Sequence, residues 1–259
     1  MIVFTANGKE YTCPEELKEI TFKQFVDYMN IAETAPSEVL EAAEIESELL
    51  DADTMEQDDI KQKLARLDQL KAQIITGRVK KAYTEFKMKV VELFTGLEQD
   101  VMKGRKGINI DSLDMLYGLI QNALVIKNYE KEIITDITID GEKYVIAEGK
   151  HQTLGEFLEA AQIEEMNARL GKKQYESMID IAAILLRKEG EEYSDEAYER
   201  NREKFMQLDM QTIADISFFF QQRSETLLKT AFVSLAKAEV ERLKAEYQSV
   251  SDGTLSLQA

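Results

Sequence analysis

The stretch Phe4-Thr5-Ala6-Asn7-Gly8-Lys9-Glu10-Tyr11 reads as two short strands joined by a two-residue turn. It returns in altered form as Ile137-Thr138-Ile139-Asp140-Gly141-Glu142-Lys143-Tyr144. Asn-Gly and Asp-Gly favour a type I′ turn, because both central residues there need positive φ, which Asn, Asp and Gly tolerate. A two-residue turn also sets the register. Phe4 should face Tyr11 and Ile137 should face Tyr144, with Ile2–Cys13 and Thr135–Ile146 on the same faces. Thr5–Glu10 and Thr138–Lys143 then point the other way, so each hairpin has one apolar and one polar face. This predicts a core position for Cys13, the alternative being a reactive thiol.

Working outward, each hairpin is followed by a capping box: Thr21-Phe22-Lys23-Gln24 and Thr153-Leu154-Gly155-Glu156. In each, the threonine hydroxyl can accept from the N3 amide while Gln or Glu reaches back to the cap. Ile20 and Phe25 could add a hydrophobic staple, which Gln152 removes from the second copy. Phe25 and Phe157, then Ile31 and Ile163, continue the match. A weaker block pairs Ser112-Leu113-Asp114-Met115-Leu116-Tyr117 with Thr212-Ile213-Ala214-Asp215-Ile216-Ser217, and Gln121 with Gln221. The offset is 132 at Thr21/Thr153 and 100 at Ser112/Thr212, so the first copy carries about 32 more residues. The alternative to duplication is two unrelated hairpin-plus-helix units, since turn chemistry is limited.

The extra residues fall at about 33–75. Residues 33–59 hold eleven acids and no Lys or Arg, whereas 61–89 hold nine basic residues and two acids. Thr54-Met55-Glu56-Gln57 forms a third capping box, and Ile60, Leu64, Leu67, Leu70 and Ile74 recur at helical spacing. The pattern predicts an acidic helix near 37–52 and a long helix from about 55 to 96, folded back as an antiparallel pair. That pair is either an internal hairpin or a projecting arm that binds another protein. Further helices are expected near 111–127, 154–169, 174–188, 195–206 and 210–248. The fold class is therefore mainly α with two small β-hairpins (α+β): two diverged tandem copies of a hairpin-plus-helices unit, with a helical-hairpin insertion in the first. The domains are 1–130, with the insertion about 33–75, and 131–259, ending in the long helix.

With 259 residues, 44% of them hydrophobic, the chain can build a substantial core, and only two prolines and twelve glycines interrupt its helices. A net charge of −17 repels phosphate backbones and anionic lipid. It suits either plain solubility or docking on basic protein surfaces. One cysteine allows no intramolecular disulfide. No apolar run approaches the roughly 18 residues of a membrane span, and Met-Ile-Val-Phe-Thr reads as a strand rather than a signal peptide.

The search for reaction chemistry is empty. His151 is the only histidine and reads as a surface loop residue. There is no Cys/His zinc cluster, nucleophile elbow, Walker loop or dinucleotide fingerprint. Lys103-Gly104-Arg105-Lys106-Gly107 lacks P-loop spacing and reads as a solvated basic connection. Asp51/Asp53 and Asp58/Asp59 lack the glycine and final Glu of an EF-hand and read as helix ends. Phe218–Phe220, with Met206 and Met210 nearby, reads as core. The expectation is no enzyme, with no catalytic, cofactor-binding or metal residues.

The second half carries Met178-Ile179-Asp180-Ile181-Ala182-Ala183-Ile184-Leu185-Leu186-Arg187-Lys188-Glu189-Gly190, then Glu192-Tyr193-Ser194-Asp195-Glu196, Phe205, Leu208 and the aromatic run Phe218–Phe220. These resemble a pattern in small proteins of tailed bacteriophages, in which a short helix and an R-x-x-G-x-x-Y loop precede an acidic helix and a final apolar helix. Ile20-Thr21-Phe22-Lys23-Gln24-Phe25 is similar to their IT-x-x-QF helix start. The family comprises tail assembly chaperones and minor virion structural proteins. The resemblance implies a non-enzymatic morphogenesis protein, structural in the virion near the tail or head–tail junction, or alternatively a tail assembly chaperone released before maturation. The implied partners are other phage structural proteins and copies of itself, without membrane or direct nucleic-acid binding. The implied location is the host cytoplasm and then the virion.

Overall fold

A computed structural model describes residues 1–49, 55–104, 107–125, 136–146, 160, 162–163, 166–167, 169–171, 173–218 and 220. Both hairpins form as their turns dictate. Strands β1 (Ile2–Ala6) and β2 (Lys9–Cys13) pair antiparallel with Phe4 opposite Tyr11, Thr5 opposite Glu10 and Ile2 opposite Cys13. Asn7 and Gly8 take φ of 49° and 76°, the doubly left-handed geometry of a type I′ turn. The Phe4 and Tyr11 rings stack at 5.7 Å on the apolar face, and Cys13 is buried.

The second hairpin, β3 (Asp136–Ile139) and β4 (Glu142–Ile146), repeats the device with Asp140 at 52° and Gly141 at 77°. Ile137 faces Tyr144 and Thr138 faces Lys143, while Thr135 lies outside the described residues. This sheet has a third strand. The helix expected over 174–188 stops at Leu185 as α7 (Gln174–Leu185), and Leu186–Lys188 forms β5 on the free edge of β4. The apolar run Leu185-Leu186 suits either state. Pairing of Ile146 with Leu186 and Val145 with Arg187 decides for strand, because an edge supplies backbone partners that a continued helix would leave unused.

The described chain is thus mainly helical with two small antiparallel sheets, a two-stranded and a three-stranded one, in keeping with α+β. It divides into two compact units: Met1–Lys131 together with Arg202–Ile213, and Glu132–Asn201 together with Ala214–Ala259. The segment Arg202–Ile213, expected inside a second copy at 131–259, therefore belongs to the first unit.

In the first unit, α1 (Phe22–Ala32) starts at the Thr21 capping box. The Gln24 amide donates to Thr21 Oγ1 at 3.1 Å, and the Thr21 amide donates to Gln24 Oε1 at 3.0 Å. Ile20, the staple residue, is fully buried. After α1 come α2 (Ser37–Leu49), α3 (Gln57–Ile74), α4 (Gly77–Thr95), α5 (Gln99–Lys103) and α6 (Ile110–Leu124). The core brings Ala6 and Cys13 of the hairpin together with Val90, Val91 and Phe94 of α4 and Leu116 and Ile120 of α6.

Two expectations need correction. The long helix at 55–96 is two helices, because Thr76 is extended (ψ 148°) and Gly77 left-handed (φ 54°), which breaks the ladder. The start of α3 also differs from the third capping box. Helix α3 begins at Gln57, with Glu56 at its N-cap position and no side-chain cap there, so Thr54-Met55-Glu56-Gln57 does not mark its start; Thr54 itself lies outside the described residues.

The second unit holds β3–β5, α7 and the start of α8 (Asp195–Phe205), the helix in which the chain passes back to the first unit. Ile179, Ala182, Ile184 and Leu185 of α7 are buried, as are Tyr144 and Ile146 of β4. The Thr153 capping box, the helix expected at 154–169 and the terminal helix beyond Phe220 lie outside the described residues, or mostly so.

Candidate interaction surface

Helices α2 and α3 form a pair with its own small core. Ala42 and Ile45 of α2 and Leu67 and Leu70 of α3 are buried together, flanked by Leu49 and Ile74. Spacings of three and four put these residues on one stripe of each helix, so a narrow apolar seam holds the pair. Charges of opposite sign rim it. Arg66 donates through Nε and a terminal nitrogen to both carboxylate oxygens of Glu41, at 2.7 and 2.8 Å. Lys71 meets Glu46 at 2.9 Å, and Lys63 meets Glu48.

The two-toothed Arg66 fork holds the Glu41 carboxyl below the usual carboxylate range. Exposed pairs of this kind add little stability, but they exclude other registers and orientations. Leu40 and Leu64 remain 44% and 48% exposed on the same helices, and Ile75 at the α3–α4 break is 67% exposed. The α2–α3 pair thus presents segregated charge interrupted by apolar side chains.

A second feature of the first unit lies between α4 and α6. Lys87 falls within the core-facing arc of α4, with Phe86, Val90 and Val91, and its side chain is only 15% exposed. It is accommodated by an ion pair with Asp114 at 2.8 Å and by aromatic faces: Nζ lies 4.2 Å from the Tyr83 ring centroid and 5.6 Å from that of Tyr117. Burial pushes the Tyr117 phenol far above its usual range. This is a clamp between helices in which the cation's counter-ion and its ring partners are all supplied.

The second unit contains a buried polar cluster that sequence reading did not single out. Asp180 on α7 is buried and accepts from Asn167 Nδ2 at 2.9 Å and from the Tyr198 hydroxyl at 3.1 Å. Asn167 Nδ2 also donates to Ser177 Oγ at 3.1 Å, and Asn201 Nδ2 donates to the Leu186 carbonyl at 3.2 Å. The cluster ties α7, α8 and β5 together, and buried carboxylates persist only where hydrogen bonds replace water. The available signal was Asp180 itself, an acid interrupting the apolar run Ile179-Ile181-Ala182-Ala183.

The residues weighed for chemistry are dispersed. Cys13 is fully buried, and burial pushes its thiol up to about 11, which suits a packing role and not a nucleophile. Asp58 and Asp59 lie in the first turn of α3, where Asp58 meets Lys61 at 3.1 Å. Of the basic glycine loop, Gly104 closes α5, and a Cβ on Gly107 would stand 2.1 Å from the Met102 carbonyl oxygen. That glycine therefore serves a close backbone approach. Phe220 is buried and Phe218 partly so, whereas His151, Asp51, Asp53, Arg105, Lys106 and Phe219 lie outside the described residues.

Among the described residues no three His, Cys, Asp or Glu side chains group as a metal site, and no helix is long and apolar enough to cross a membrane. No protein-family model, curated protein or solved structure matches the chain.

Proposed function

We propose that this chain is a non-enzymatic bacteriophage morphogenesis protein that acts by protein–protein binding, as a structural component of the virion near the tail or head–tail junction. The observation that carries the binding role is the α2–α3 pair, a narrow apolar seam rimmed by segregated charge. Such a rim selects partner and orientation more than it adds affinity. The phage assignment rests on the resemblance of Met178–Gly190, of Tyr193 and of the Ile20–Phe25 helix start to the tailed-phage proteins. Other phage structural proteins, and further copies of this chain, are the partners, met first in the host cytoplasm.

In this reading the chain is a diverged duplication whose shared scaffold is the hairpin and short helices, and whose first-copy insertion is free to specialise. Support comes from the matched turn geometry of Asn7-Gly8 and Asp140-Gly141. A second correspondence is that Asn109 caps Ser112 at 2.7 Å and Asp209 caps Thr212 at 2.9 Å, at the same offset of 100 as Ser112 and Thr212.

Replacement of residues 37–72 by a short Gly-Ser link tests the binding role. The shortened protein should fold and fail to join its partner or particle; normal assembly would make the insertion decoration. Mass spectrometry of purified particles tests location. Abundant peptides support the virion component, whereas strong intracellular expression with none in particles identifies the released chaperone instead.

A further inference from the structure

The N-terminus of α1 is closed in an unusual way. A helix leaves its first four amides without intrahelical acceptors. Here the Gln24 amide donates to Thr21 Oγ1 and the Thr21 amide to Gln24 Oε1, as a capping box provides. The other two amides are taken by a segment more than 180 positions along the chain. The Phe22 amide donates to the Leu208 carbonyl at 2.8 Å and the Lys23 amide to the Met206 carbonyl at 2.9 Å. In return the Met210 amide donates to the Ile20 carbonyl at 2.7 Å, and Thr21 and Asp209 form an antiparallel bridge.

The strap that does this is prepared by its own sequence. Turns after α8 (the Gln207 amide to the Lys204 carbonyl at 3.2 Å, the Leu208 amide to the Phe205 carbonyl at 3.0 Å) leave the Met206 and Leu208 carbonyls free for α1. Asp209 then opens the next helix by accepting from the Thr212 amide and hydroxyl. Phe205, Met210 and Ile213 are buried, as are Ile20 and Phe22. The strap belongs to the first unit, yet it is flanked on both sides by sequence of the second.

We infer that Phe205–Met210 is a latch: α1 and the residue before it form an edge that accepts an extended backbone, and the chain keeps this edge filled with its own segment. The first unit is complete only when the latch is seated. An open latch bares the Phe22 and Lys23 amides and the Ile20 carbonyl on an apolar seat, without unfolding the β1–β2 hairpin or the α4–α6 core. Three backbone bonds and a short buried segment form a smaller set than that core, so opening precedes global unfolding.

Residue-resolved hydrogen exchange on the full chain tests the latch. The amides of Phe22, Lys23 and Met210 should open together, with less protection than the β1–β2 ladder or the amides of Val90 and Val91. Met210→Pro deletes the donor to Ile20 at the first helical position, where proline is tolerated; Met210→Ala trims the side chain and keeps the donor. Relative to Met210→Ala, Met210→Pro should speed exchange at Phe22 and Lys23 about fivefold, the factor for one net hydrogen bond of about 1 kcal/mol. The β1–β2 ladder should not change. Equal exchange in the two variants, loop-like exchange at Phe22 and Lys23, or opening only with global unfolding would overturn the inference. If Met210→Pro does not fold, the wild-type exchange pattern decides alone.

Discussion

Leu70→Ala is the sharpest perturbation of the candidate interaction surface. Leu70 has no exposed area and sits in a small seam where, among the described residues, Ala42, Ile45 and Leu67 are buried with it, flanked by Leu49 and Ile74. Leucine-to-alanine changes at buried sites cost about 3–5 kcal/mol, because transfer free energy is lost and a cavity is left. A two-helix pair can partly collapse, so the lower end applies, about 3 kcal/mol. At about 1.4 kcal/mol per decade this multiplies local opening more than 100-fold. Leu64, on the same helix, is 48% exposed. Its alanine variant forfeits only part of a burial worth about 1.5–3 kcal/mol and leaves no closed cavity, so it should cost about 1 kcal/mol or less. Hydrogen exchange by mass spectrometry on peptides from 37–49 and 57–74, with β1–β2 peptides as internal reference, reads both. Leu70→Ala should deprotect α2 and α3 together and leave the reference unchanged. Equal effects of the two variants, or equal loss across the whole first unit, would show that the α2–α3 pair has no separate core and would refute the reasoning.

Other outcomes follow from the same geometry. Thr21→Ala should lower stability by about 1 kcal/mol in chemical denaturation, the usual loss for an N-cap, because the Gln24 amide loses its acceptor. Gly107→Ala should destabilise by about 2 kcal/mol or more, since its Cβ would stand 2.1 Å from the Met102 carbonyl oxygen and 2.5 Å from that of Val101, and backbone must shift. The folded-state pKa of Cys13 is raised, to about 11, so its contribution to stability is full below the ordinary thiol pKa and is lost as the pH rises through about 11. Alkaline titration of unfolding should therefore show a smaller loss for Cys13→Ala than for the wild type. At neutral pH the thiol should resist disulfide reagents until the protein is denatured.

The sequence by itself determined whatever is governed within a few residues. Asn7-Gly8 and Asp140-Gly141 impose positive φ on both turns, and with it the register that places Phe4 against Tyr11 and Ile137 against Tyr144. Thr21 and Gln24 satisfy one another three residues apart, so the start of α1 was legible too. The pairing of α2 with α3 could be read because periodic apolar residues and segregated charge agree. The break at Thr76-Gly77 was written in the residues but masked by apolar residues at helical spacing across it, Ile75, Val79 and Tyr83.

Other features depend on partners far along the chain. Leu186–Lys188 is a strand only because β4 has a free edge. Asp180 is buried where Asn167 and Tyr198, 13 and 18 positions away, donate to it. Arg202–Ile213 joins the first unit because its carbonyls meet the two α1 amides that a capping box leaves open. Turn and cap chemistry is local and survives in any context. Edge pairing, buried polar satisfaction and strap docking exist only when distant segments meet, so the tertiary structure alone decided them.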